Sequence, residues 1–230
     1  MKKILSICIA VLLSNCGSDE PVSDINTQNF KPAVTNLNLT TKIPISLQSK
    51  SPLMWSQISM MEAYVKMGAN FMTPSTGKSN SSLYNNTWSY GGYTVNYSYN
   101  LVGDKYEYLY KMTLNGQIYS TIDGWQKADG SSGHWAYNIN LSVMGVPSSS
   151  NYNIDFNWNK DNVNNYTFDM IFNLGSSGTM HYISHLKNDY SGDFNYYTNN
   201  TLVYNGIWKS DGSGQFTNYI TSPPTVTTWN

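Results

Sequence analysis

Few side chains in this 230-residue chain can do chemistry, and their spacing narrows the choice further. His181 and His185 would share one face of a helix, a turn apart, which is a metal-ligand spacing. The stretch from Thr179 to Leu186, however, carries strand residues between glycine-rich turns. In a strand the two imidazoles stand about 13 Å apart, too far to share one ion at about 2 Å from each nitrogen. No metal centre and no cofactor is therefore expected. His134 alternates with Trp135 and falls on a polar face, with solvent as its expected partner. Hydrolysis needs two carboxylates in a cleft, or a nucleophile with a base and an orienting acid. Beyond Glu20 the only glutamates are Glu62, on a predicted helix, and Glu107, on a predicted strand, while Asp155 and Asp169 are candidate cross-strand neighbours. Nothing resembles a nucleophile elbow, a zinc helix or a phosphate loop, so the chain reads as a non-enzyme.

The aromatic residues are the larger resource. Trp88, Trp125, Trp135, Trp158 and Trp208, with many tyrosines, can stack on sugar rings while Asn and Asp side chains bond the hydroxyls. The same rings also pack well on half-buried sheets and can simply be the core. The segment Asp123-Gly124-Trp125-Gln126-Lys127-Ala128-Asp129-Gly130 is echoed by Asn205-Gly206-Ile207-Trp208-Lys209-Ser210-Asp211-Gly212. Each reads as a strand entering an Asp-Gly turn. A calcium loop needs several alternating carboxylates and each copy has one in its turn, so structural hairpins are expected. The second copy resembles a single membrane-occupation repeat of the Tyr-x-Gly-x-Trp kind, but two degenerate copies make no array.

The elements that position these residues follow from periodicity. Ser51-Pro52 supplies a helix start, and Met54, Ile58, Met61, Val65, Gly68 and Met72 then recur at helical spacing. Met60, Tyr64, Met67 and Phe71 form a second stripe, so a helix over about 53–72 is apolar around most of its circumference and needs cover. From Thr87 the period becomes 2: Tyr93, Val95, Tyr97, Tyr99 and Leu101 alternate with polar residues, and the pattern continues to about 221. Asn115-Gly116 predicts a two-residue hairpin. The connections are too short for crossover helices, so successive strands are antiparallel neighbours. The fold predicted is mainly β: an antiparallel meander of about ten strands forming a curved sheet or partly open barrel, with one N-terminal apolar helix packed on it. In architecture alone this resembles the unclosed barrels of periplasmic lipoprotein carriers and, more loosely, the lipocalins. An enclosed apolar ligand would then meet Met61, Tyr64, Val65, Met67, Phe71, Trp135 and Trp158. Ile43 to Leu47 is apolar enough to pack as an edge segment.

All 13 basic residues are Lys, and with no Arg for forked contacts to phosphate or guanine, nucleic acid is not an expected partner. At the start, Lys2 and Lys3 precede an apolar run from Ile4 to Leu13, then Leu13-Ser14-Asn15-Cys16. Ten apolar residues span only about 15 Å as a helix, which fits a secretory signal rather than a membrane span. Leu13-Ser14-Asn15-Cys16 resembles the lipobox of bacterial lipoproteins, with Asn where Gly or Ala is commoner. The resemblance implies a signal peptide over 1–15, diacylglycerol on the Cys16 thiol, and acylation of the new amino group. Gly17-Ser18-Asp19-Glu20 resembles the short acidic export signal of Bacteroidota-type surface lipoproteins, which implies an outer-membrane protein exposed at the surface, with the periplasmic side as the alternative, whose partner is the membrane through its lipid. Residues 16–40 read as a lipidated tether, and 41–230 as one β-rich domain. Two function classes stand at this point: a carrier for a small apolar or amphipathic ligand, and a surface module that binds glycan. A purely structural envelope lipoprotein is the third.

Overall fold

Alternation of rings with small polar residues makes each run a strand with one buried face, and glycine-rich turns reverse the chain between runs. The computed structural model describes residues 43–72, 83–146 and 151–230. The expected signal peptide, Cys16, the expected tether and the predicted boundary near residue 40 lie outside the described residues. Twelve strands run β1 Leu83–Tyr90, β2 Tyr93–Val102, β3 Lys105–Leu114, β4 Gln117–Lys127, β5 Ser132–Ile139, β6 Tyr152–Lys160, β7 Tyr166–Asn173, β8 Thr179–Leu186, β9 Gly192–Thr198, β10 Thr201–Trp208, β11 Gly214–Asn218 and β12 Thr225–Trp229. Each pairs antiparallel with its chain neighbours in one sheet, with β1 and β12 at its two edges. The meander is therefore an open sheet and not a closed barrel. The two strands beyond the expected ten are β1 and β12.

The register lines the inward side chains into rows. One row carries Tyr99, Tyr108, Gly124, Trp135, Phe156, Met170, Tyr182 and Tyr196 across β2 to β9. Trp135, Phe156, Phe168 and Met170 are fully buried. Where a tryptophan lies flat on this face, the neighbouring strand offers glycine. A Cβ on Gly133 would run into the Trp158 ring, and one on Gly192 into the Trp208 ring. Gly214 leaves the same room for Trp229.

Helix α1 (Ser46–Lys50) is a single turn, and of the Ile43 to Leu47 segment Ile43 and Leu47 pack into the core while Ile45 is exposed. Helix α2 (Pro52–Met72) starts at the expected Ser51-Pro52, with the Ser51 carbonyl accepting the Trp55 N–H at 3.0 Å. Met54, Ile58, Met61 and Val65 are buried, as the first stripe requires. Met54 lies against Gly206 on β10, Gln57 accepts the Tyr182 hydroxyl of β8 at 3.3 Å, and the Tyr64 ring meets Phe172 of β7 at 4.6 Å. The helix thus crosses the strands and covers the aromatic face. Glu62, expected among the polar residues, is buried and pairs with Lys66 one turn on.

Candidate functional site

Of the apolar residues chosen from sequence as ligand contacts, those whose side chains are described belong to the core or pack against it. Met61, Val65, Trp135 and Trp158 are all buried, and Tyr64 is half-buried against Phe172. The side chains of Met67 and Phe71 lie outside the described residues. The face on which an apolar ligand was expected is packed with the protein's own rings.

The opposite, outer face carries the polar alternates of the same strands, and the register decides which of them meet. Asn100, Glu107, Trp125 and His134 fall in one outward row across β2 to β5, and Ser98, Leu109, Asp123 and Ala136 in the next. All of these but Ala136 line an open depression of about 480 Å³, to which Tyr99, Tyr108 and Gly124 of the intervening row also contribute. Gly124 matters here because a Cβ would strike the Tyr108 hydroxyl and the His134 carbonyl. Its absence lets the Tyr108 O–H donate to that carbonyl at 2.9 Å, tying β3 to β5 under the depression. Burial pushes the Tyr108 phenol well above its ordinary pKa, with Tyr97 and Asp123 adding to the effect, so it stays a donor at neutral pH.

Trp125 is the half-exposed ring of this site. The Lys105 ammonium lies 4.1 Å from its centroid, a cation–π contact worth about 0.5–1 kcal/mol at an exposed site. Glu107 and Asp123 are exposed beside it. His134 does not face solvent alone: its Nε2 meets Asp155 Oδ2 of β6 at 2.9 Å. The other two histidines repeat the arrangement, His181 with Asp169 at 2.8 Å and His185 with Asp193 at 2.8 Å. Each imidazole is thereby committed to a different carboxylate on an adjacent strand. Asp155 and Asp169 are neighbours across β6 and β7, set one register step apart, Asp155 opposite Ile171 and Asp169 opposite Asn157. The Asn157 amide donates to Asp155 at 2.9 Å.

The echoed Asp-Gly segments are structural hairpins. Asp129, Asp189 and Asp211 each accept the backbone N–H two residues on, from Ser131, Ser191 and Ser213, at 2.8–2.9 Å. Hydrogen bonds from these serines hold all three carboxyls below the usual carboxylate range. The Asp189 copy was not singled out from sequence, because Tyr190 stands where the other two have glycine. Compared with known protein families, curated proteins and solved structures, the chain matches none of them.

Proposed function

We propose that this chain is a lipid-anchored envelope protein, held on the outer membrane through Cys16, that binds glycan on its outer face without catalysing a reaction. The observation that supports the reading is Trp125: a half-exposed indole in an open polar depression, beside Glu107, Asp123 and Asn100. Sugars are recognised by apolar stacking on one ring face combined with hydrogen bonds to in-plane hydroxyls, and this site offers both components. An interior ligand has weaker support, because the α2 stripe and the ring rows fill the space between helix and sheet.

The binding test is a titration of full-length protein in detergent micelles with neutral oligosaccharides, followed by tryptophan fluorescence. A saturable shift that Trp125→Ala removes is the expected result. A hydrophobic dye that lipid displaces, with no response to any glycan, would return the carrier reading to first place, and silence in both assays leaves the structural lipoprotein. Anchoring is tested separately: Cys16→Ala should lose its lipid label and remain unprocessed. Unchanged partitioning into detergent would remove the lipoprotein assignment.

A further inference from the structure

A second open depression, of about 310 Å³, lies on strands β4 to β7, and carboxamides dominate its polar lining. Thr121, Asn138, Asn153 and Asn173 stand in one register row across these strands. The Asn153 amide donates to the Asn138 oxygen at 2.7 Å. Since a carboxamide has two N–H donors and two lone pairs, this bond leaves Asn153 its own oxygen and a second N–H for a ligand. Tyr152 and Ile118 give the rim apolar surface.

The two depressions share β4 and β5. On β5, His134 lines the first and Asn138 the second, and both point outward, four residues or about 13 Å apart. Between them on the same face is Ala136, whose cross-strand partners are Asp123 on β4 and Asp155 on β6. A methyl between two longer carboxylate side chains in one register row leaves room for a shallow trough whose walls can accept hydrogen bonds. The carboxylates Glu107, Asp123 and Asp155 would repel a polyanion, and the carboxamides suit hydroxyl and acetamido groups.

We propose that the two depressions are the ends of one track, and that its ligand is an uncharged linear oligosaccharide lying along β5 over Ala136. Trp125 carries one end of the chain, and Asn138 and Asn153 bind the other. This inference rests on the glycan reading of Trp125. A single sugar ring is too short to reach both ends, so chain length becomes the measurable quantity.

The experiment uses full-length protein in detergent micelles, titrated with cello- and chito-oligosaccharides of increasing length and with oligogalacturonate as the anionic counterpart. Affinity should climb with length by on the order of tenfold or more once both ends are reached, because the second contact becomes intramolecular. The double variant Asn138→Ala/Asn153→Ala should lose that gain while short oligosaccharides bind as before. Ala136→Leu, which fills the trough, should likewise reduce long chains to the affinity of short ones. If short sugars bind at Trp125 but length adds nothing, or both variants keep the gain, the track is refuted and the Trp125 site stands. Oligogalacturonate binding as well as the neutral chains would refute the choice of an uncharged ligand. If no oligosaccharide binds, or Trp125→Ala binds like wild type, the Trp125 reading fails and the track with it.

Discussion

Trp158 and Trp208 form a matched pair with one difference, which allows a comparison of two like substitutions. Both are about 97–98% buried, each lies over a glycine of the adjacent strand, and each sits beside a hairpin with an Asp turn. The Trp208 indole N–H donates to the Tyr190 carbonyl at 2.8 Å, and Trp229 makes the same bond to Gly212. The Trp158 N–H is buried with no partner among the described residues. The cause is one residue of loop length. Asp189-Tyr190-Ser191-Gly192 and Asp211-Gly212-Ser213-Gly214 place a carbonyl two residues before the glycine under the indole. Asp129-Gly130-Ser131-Ser132-Gly133 is one residue longer, and the corresponding Ser131 carbonyl accepts the Lys160 N–H of β6 instead, at 2.7 Å. Replacing either indole by phenylalanine shrinks the ring by a similar volume. Trp208→Phe also loses a hydrogen bond worth about 0.5–1.5 kcal/mol net, whereas Trp158→Phe removes a buried unpaired donor that costs about 1–3 kcal/mol. Trp208→Phe should therefore be the more destabilising by about 2 kcal/mol or more, read from urea midpoints at equal m-values. Deleting Ser132 should bring the carbonyl under Trp158 and narrow the gap. Equal losses from the two substitutions would show that loop length does not decide the fate of the indole.

On the helix, Met61→Ala should cost about 2–5 kcal/mol and Val65→Ala at least about 1 kcal/mol, measured by denaturation; neutral results would show that α2 is not part of the core. Lys105→Ala should strengthen glycan binding about two- to fivefold, because the sugar no longer displaces a cation from the Trp125 face; weaker binding would mean that Lys105 is itself a contact. Burial raises the Tyr110 phenol to about 12 and moves Tyr108 and Tyr182 in the same direction. A raised folded-state pKa contributes stability that is whole below the unfolded value near 10 and is lost as pH climbs through the folded one. The domain should accordingly lose stability between about pH 10 and 12, in step with tyrosinate absorbance. A flat profile across that window would contradict the burial of these phenols.

Period-2 patterning made β2, β3 and β5 to β7 legible, and the Asn115-Gly116 turn has the positive φ angles that its sequence demands. Strand β1 escaped because Asn86 interrupts its inward face, between Tyr84 and Trp88, just after a Ser/Asn run. Strand β12 is five residues long and follows Pro223-Pro224, which read as a loop. The equivalent turn at Asn199 and Asn200 also has both φ angles positive, yet two asparagines without glycine give a weaker signal. Trp125 was recognisable as a stacking aromatic, but its neighbours were not. They depend on pairing offsets, and the register of β3 against β4 shifts at Met112/Thr113, an irregularity that no local pattern announces. The three His–Asp pairs were hidden for the same reason. Trp135 and Trp158 looked like ligand contacts because composition cannot tell a ring that fills a core from one that lines a cavity.

A sheet in which every strand pairs only with its sequence neighbours has a kinetic consequence. All-β chains usually fold slowly because distant segments must meet before any pairing is rewarded. Here each hairpin closes only a short loop, and the meander can grow from any of them by adding the next strand. The exceptions are contacts of the N-terminal helices: Gln57 meets Tyr182 across 125 residues, and Lys50 reaches the Asn230 carbonyl across 180. Assembly of the sheet is a local, zipper-like process, and the slow step falls to the docking of α1 and α2, which closes these long loops and seals the aromatic face from water.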